Sequence, residues 1–322
     1  MGNGLLRGTI PGNEKIAGPS GPAIFLGEEG EKMFFLQQLL NGLTQGSIYA
    51  LMAIGYSIIL GVVGLVSFVH GEVIVYGAFA GFYVLLLSKG NIILALFAGF
   101  AASWMLGIAI DKLCYQPFRQ RAREIALIAT IGLSITLRSS AQVFFGTQQK
   151  FMPDMFQNRF FAFGEVRVAY TQIFVFAVVI GLCVILQQIV TKTYFGMSLR
   201  AVSMNKKAAA LLGVDVDRAV LLGNAMACGL GGISGVLLGM YYNAIHPLMG
   251  ATMAMKAFTA TVFGGLGSIA GAVIGGLLLG VFENLGVAML SSGYRDIVAF
   301  LILIAVLLVK PSGILGRKGA EL

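Results

Sequence analysis

The run FLILIAVLLV, Phe300 to Val309, is apolar at every position, and runs of that kind recur along the chain with short polar breaks between them. Such segments have no place in a soluble domain, because burying one in full needs a partner of equal greasiness on every side. A hydrocarbon core about 30 Å thick instead asks for about 20 apolar residues per helix. Membrane β-barrels alternate apolar and polar residues, whereas these runs are continuous, so helices are the expected element. Composition agrees: 57% of the 322 residues are hydrophobic and only 11% are charged. The expectation is an all-α, polytopic transmembrane helix bundle.

Spans are expected near residues 34–62, 71–88, 91–111, 125–145, 171–190, 219–240, 251–264, 269–287 and 295–309. The segment 251–264 is short and runs into FGGLGS, which leaves eight to ten spans. Residues 1–32 are rich in Gly, Pro and charge and read as a flexible tail, without the pattern of a secretion signal. Residues 33–316 form the membrane domain and 317–322 a second tail.

Lysine and arginine placement orients the bundle. Lys112, Arg119, Arg121 and Arg123 fill one loop; Lys192, Arg200, Lys206, Lys207 and Arg218 fill the segment 192–218; Lys310, Arg317 and Lys318 close the chain. All three regions, the C-terminus included, are expected on the cytoplasmic side. Residues 146–170, with His246 and Pro247, then lie outside. The net charge of +8 is accounted for by these loops, so nucleic acid is not expected as a partner.

Within 192–218, Asn205 has the chemistry of a helix N-cap, KKAAALL of a short helix, Gly213 of a stop, and Asp215 or Asp217 of the next cap. A short helix therefore protrudes from the membrane, with Ala208, Ala209 and Ala210 small enough to seat in a partner's groove.

Forty-four glycines include two series at four-residue spacing, Gly231, Gly235 and Gly239, and Gly267, Gly271 and Gly275. Each series permits close helix approach where lipid offers no hydrophobic contrast.

No phosphate-binding loop occurs, and no glycine precedes a lysine anywhere. Two histidines and three dispersed cysteines make neither a metal site nor a nucleophilic constellation. Catalysis, metal and cofactor are not expected in this chain.

Four blocks carry a family resemblance: QQLLNGLTQGSIYALMAIGYSIILGVVGLVSFVHGE, LRAVSMNKKAAALLGVDVDR, MKAFTATVFGGLGSIAGAVIGGLLLGVFENL and KPSGILGR. Together they resemble the permease subunits of bacterial branched-chain amino acid ABC importers, of the branched-chain amino acid and ribose permease type. The likeness runs from about Met33 to Gly316. It implies an inner-membrane subunit passing leucine, isoleucine and valine, paired with a second homologous permease. Two cytoplasmic ATPases using ATP and Mg would sit beneath, and an external binding protein would deliver the solute. Urea and short-amide importers have similar permeases, and a stand-alone secondary transporter is a further alternative. By the same resemblance 192–218 couples to an ATPase through Arg200, Ala208, Leu211, Leu212, Gly213 and Asp215, with Asn205 and Ala209 in the same segment. The sequence departs from its relatives at Asn205, Lys206 and Lys207.

His70 and Glu72 stand in the apolar run GLVSFVHGEVIVYGA, where an ionised group costs about 2.5 to 3.5 kcal/mol at mid-bilayer. Two readings fit. An interrupted helix between Gly64 and Ala78 lines the path or gate with the two as a polar pair, or both sit at the cytoplasmic interface between helices. Lys256 and Glu283 are the other isolated charges: they can pair across helices, Lys256 can snorkel to an interface, or either can face the second permease. Lys256, Phe258 and Phe263 join His70 and Glu72 as candidate path or gate residues.

Overall fold

A computed structural model describes residues 28–119, 123–153, 155–156, 159–163, 166–289, 292–310 and 313–316. The helices are α1 (Glu28–Val63), α2 (His70–Leu87), α3 (Ile92–Ile110), α4 (Gln116–Phe118), α5 (Arg123–Phe145), α6 (Tyr170–Lys192), α7 (Tyr194–Met204), α8 (Lys206–Leu211), α9 (Val216–Tyr242), α10 (Met249–Gly264), α11 (Ile269–Met289) and α12 (Arg295–Val309). A π-helical turn, Asp111–Tyr115, joins α3 to α4. Among the described residues seven helical segments are long and apolar enough to cross a membrane. The chain is a multi-pass membrane protein. The apolar α10 and α12 are shorter, 16 and 15 residues; the expected eight to ten spans are reached when either is counted, and nine when both are. The first helix begins at Glu28, inside the expected tail; residues 1–27 and 317–322 lie outside the described residues.

Two antiparallel pairs of short strands cap one end, β2 (Phe160–Phe163) with β3 (Val166–Ala169), and β1 (Lys150–Phe151) with β4 (Ala244–Ile245). Gln37, in the first part of α1, bonds the Arg167 main chain there. At the opposite end Lys206 donates to the Val63 carbonyl at 2.8 Å, and Arg119 pairs with Asp217. The loops of the expected basic side therefore share one end, the connector end, and the strands mark the other, the hairpin end. His246 and Pro247 form a plain turn: the His246 carbonyl accepts from Met249 and its Nδ1 from Leu248.

Helices α1 and α9 form the buried centre, while α3, α5 and α6 present most of their surface outward. Close approach organises the centre. Gly42 and Gly46 of α1 lie against the main chain of Gly276, Leu277, Gly280 and Val281 of α11, where a methyl on Gly46 would stand 2.7 Å from the Leu277 carbonyl oxygen. That seam lay outside the two expected glycine series. Gly235 packs on the Ile74 main chain, Gly231 on His70, Gly239 on Ile245 and Met152, and Gly271 and Gly275 on α10. Gly267 departs from expectation: it sits in the turn before α11 at φ +74° with open space around it. The helix begins only at Ile269, so its third expected packing position falls outside it.

Candidate functional site

The chain breaks between Val63 and His70, and the break places His70 deep in the bundle. α1 ends at Val63, Gly64 takes φ +80°, and α2 starts afresh at His70 with no side-chain cap at Val69. The His70 ring is buried between Gly55 and Gly231, edge-on to Tyr56 at 5.7 Å. Neither ring nitrogen makes a full hydrogen bond. Gly231 is the sixteenth residue of the 27-residue α9, so this level is well inside the bundle. The interfacial reading of His70 and Glu72 is therefore wrong in placement. An interruption is present, although it ends before His70, and His70 to Ala78 is regular helix.

That regularity separates the expected polar pair. Residues two apart point about 200° from one another, and Glu72 turns instead to α5. Its Oε1 accepts from Arg138 Nε at 3.0 Å, Arg138 NH2 at 2.7 Å and Ser134 at 3.3 Å. Glu72 lies in the first turn of α2, where helix N-terminal amides favour a carboxylate. Ser134 and Arg138, four apart on α5, share the face that meets it. Nearby the Tyr76 hydroxyl contacts Ser140 at 2.7 Å and the Leu137 carbonyl at 3.1 Å. Polar grips thus hold α5, a helix with little buried apolar surface. Sequence reading missed Arg138, although a lone arginine in an apolar run carries the same signal that singled out Lys256.

The second carboxylate oxygen of Glu72 is buried without a hydrogen bond and faces Gly250, in the first turn of α10. Gly71 touches the Gly250 main chain so closely that neither position admits a side chain. The N-termini of α2 and α10 thus meet inside the bundle, with Glu72 between them.

Lys256 and Glu283 do pair, at 3.1 Å, and the cluster is larger than the sequence indicated. Lys256 Nζ also lies 3.0 Å from Asp296 Oδ1 of α12 and 3.1 Å from the Tyr49 hydroxyl. Glu283 Oε2 accepts from Gln45 at 2.8 Å and Tyr49 at 2.9 Å, and Asn284 holds Gln45 Oε1 at 2.8 Å. Arg295 donates to the Tyr242 hydroxyl at 3.0 Å. Lys256 and Phe263 do not form one site with His70, whereas Phe258 reaches its neighbourhood through Tyr56, which touches both. Phe263 lies at the connector end, its carbonyl bonded by Ile314.

A second polar cluster that sequence reading missed sits at the end of α3. Buried Asp111 accepts from Arg119 NH2 with both oxygens at 2.9 Å, and Arg119 reaches on to Asp217 at the start of α9. The pair ties the α3 to α5 loop to the connector end.

The connector folds largely as its caps dictate. Asn205 Oδ1 accepts from Ala208 N at 3.0 Å, Asp215 Oδ1 from Arg218 N at 3.0 Å, and Gly213 takes φ +83° beyond α8. Asp215, not Asp217, is the cap of α9. Ala209 is buried beneath α8 and is not offered to a partner, contrary to expectation; Ala208, Ala210 and Gly213 are exposed. Leu211 and Leu212, at the end of α8, are 89% and 83% exposed. Arg200 turns back to the Thr191 carbonyl at 3.4 Å.

Among the described residues no three His, Cys, Asp or Glu side chains converge to hold a metal ion.

Comparison with known proteins gives a consistent neighbourhood. Residues 38–307 match the family described as branched-chain amino acid transport system, permease component. The chain is 38% identical over 307 residues to the high-affinity branched-chain amino acid transport system permease protein LivH of Escherichia coli K12, covering 90% of this chain and 98% of that one. It is 39% identical over 300 residues to BraD of Pseudomonas aeruginosa, a permease of the same description, covering 89% and 97%. A probable LivH permease of Methanocaldococcus jannaschii is 29% identical over 311 residues, covering 91% and 95%. No solved structure matches the chain significantly.

Proposed function

The chain belongs to the family of branched-chain amino acid transport permease components, and from that premise we propose that it forms half of the membrane pathway for leucine, isoleucine and valine in an ATP-driven importer. A second homologous permease supplies the other half. Two ATPase subunits bind ATP and Mg at the connector end, and a binding protein delivers solute at the hairpin end. The membrane is the bacterial inner membrane, with the connector and the C-terminus in the cytoplasm.

The α8 knob is the observation that carries this reading. A chain that moved solute by itself would have no use for two leucines held in water at the tip of a capped, anchored helix. Exposed apolar residues on a rigid support mark a docking surface. The support is firm: Ala209 is buried under the knob, Asn205 and Asp215 fix its two flanks, and Lys206 fastens its base to the end of α1.

Two measurements on the assembly co-expressed with its partner subunits test the reading. Leu211→Cys should crosslink to an ATPase subunit, and proteoliposomes should take up labelled leucine only with ATP. Leucine uptake by this chain alone, or a knob that crosslinks to no nucleotide-hydrolysing subunit, would refute it; uptake of urea in place of leucine would correct the solute.

A further inference from the structure

At the hairpin end, Lys256, Arg295, Glu283 and Asp296 form a cluster of zero net charge that nothing so far described requires. We propose that this cluster is a recognition station for the charged end of an α-amino acid, in which the Lys256–Asp296 pair opens and the solute's carboxylate and ammonium take the two vacated places. The inference rests on the reading of the chain as an amino acid permease and deepens it.

Burial sets the order of events. Glu283 is sealed, fixed by Gln45 and Tyr49, and Lys256 is 4% exposed, whereas Asp296 is 53% exposed at the start of α12. Among the described acidic groups of the cluster the Asp296 carboxylate is the outermost. Charge pairing inside a membrane protein is retained where it serves a path or a partner. Replacing such a pair by well-packed apolar groups is often neutral or stabilising, so stability alone is a weak reason to keep one.

Hydrogen-bond capacity shows why exchange is cheap. An ammonium has three protons, and four oxygens surround Lys256 Nζ: both of Glu283, at 3.1 and 3.2 Å, that of Tyr49 at 3.1 Å and that of Asp296 at 3.0 Å. One acceptor is surplus. Glu283 Oε1 and Arg295 Nε are both buried without a hydrogen bond. Arg295 lies within electrostatic range of Glu283, so a carboxylate beside Lys256 would have a second cation near it.

The chemistry of the ligand follows. An anion alone would displace Asp296 and leave its carboxylate uncompensated. A cation alone would pair with Asp296 and leave Lys256 as before. A zwitterion whose ammonium and carboxylate are joined through one carbon satisfies both halves of the opened pair, giving two ion pairs for one with no change in net charge. Lys256 belongs to α10, whose N-terminus abuts Gly71 and Glu72, and Asp296 belongs to α12. Opening the pair therefore removes one tie between α10 and α12 at the same time as it holds the solute.

The test uses the complete assembly in nanodiscs with Ile297→Cys, beside Asp296, labelled by a water-soluble maleimide and read by mass spectrometry of its peptide. Phe160→Cys, exposed on the β2 strand, serves as control. Leucine raised stepwise to millimolar concentration should slow labelling at Ile297→Cys alone, by about threefold at twice its dissociation constant. Leucinol, without the carboxylate, and 4-methylvalerate, without the ammonium, should leave it unchanged. Adding Asp296→Asn, at a half-exposed position where Glu283 remains as the partner of Lys256, should abolish protection. Labelling indifferent to leucine, equal protection by the three solutes, or protection that survives Asp296→Asn would overturn the proposal. ATP-driven leucine uptake by the same assembly is scored separately: its failure refutes the importer reading, while normal uptake without protection refutes only the station.

Discussion

Breaking the ion pair between Glu72 and Arg138 should be costly in one direction and mild in the other. Glu72 is buried and takes three hydrogen bonds on one oxygen, two of them from Arg138; Arg138 is 34% exposed. Arg138→Met leaves a sealed carboxylate with Ser134 as its only hydrogen-bond donor. An uncompensated buried charge costs about 3 to 5 kcal/mol, and the lower figure applies here because Arg138 is partly solvated and Ser134 remains. Glu72→Gln leaves Arg138 a neutral oxygen, with freedom to extend its long side chain toward a polar region, and should cost about 1 kcal/mol. The double variant removes both charges and should cost about 2 kcal/mol, about half the sum of the two single losses. A coupling of about 2 kcal/mol results, roughly a 30-fold effect on the unfolding equilibrium.

Denaturation by sodium dodecyl sulfate in mixed micelles, followed by fluorescence, measures all four corners of this cycle. His70→Ala combined with Glu72→Gln provides the contrast: the two side chains point apart, so their effects should add within about 0.5 kcal/mol. A double variant as unstable as the sum of its parts, or coupling of Glu72 to His70 in place of Arg138, would refute the assignment.

Three other outcomes are expected. Asn205→Ala removes the acceptor for the Ala208 amide; a lost cap of about 1 kcal/mol should speed hydrogen exchange across Lys206–Leu211 about fivefold, and unchanged exchange would deny the cap. Gly46→Ala puts a methyl 2.7 Å from the Leu277 oxygen, while Gly181→Ala meets nothing within 4 Å. The first should lower the thermal midpoint in detergent through overpacking of about 1 to 3 kcal/mol, the second leave it or raise it slightly, and equal midpoints would deny the seam. Lys206→Met removes the bond to Val63, and leucine taken up per ATP hydrolysed should fall; an unchanged ratio would show that the link carries no coupling.

Spans were legible because hydropathy is a one-dimensional property: each apolar run announces itself without reference to any other. Boundaries agree to within a few residues, apart from the start of α1, from α5 to α12 as well as in the first three helices. Caps were legible for the same reason. Asn205, Gly213 and Asp215 act on amides or dihedrals within three residues of themselves, so residue type and position suffice. Arg200 and Ala209 show the limit of that method. A motif match names a segment, but only the packed fold decides that Ala209 turns inward while Leu211 and Leu212 turn out.

Beyond Lys256 and Glu283, whose pairing was one of the open options, partners across helices stayed hidden because the sequence carries no distance. Glu72 and Arg138 are 66 positions apart, and Lys256, Glu283 and Asp296 come from three helices. A lone charge in an apolar run says that a partner is needed, since the alternative costs several kcal/mol; it does not say which partner. The break at 64–69 turns this into a structural rule for the chain. By ending α1 early and restarting at His70, the backbone lifts the first turn of α2 into the bundle, and the only stable company for a carboxylate there is a helix N-terminus with a cation from the side. α2 supplies the first and α5 the second. Gly71 and Gly250 supply the close approach that lets α10 begin at the same level. A side chain at either glycine would drive the two N-termini apart, and Glu72 would then face lipid or water with one support fewer. The break, the carboxylate, the arginine and the two glycines therefore stand or fall together, which is why no one of them could be assigned from its own position in the sequence.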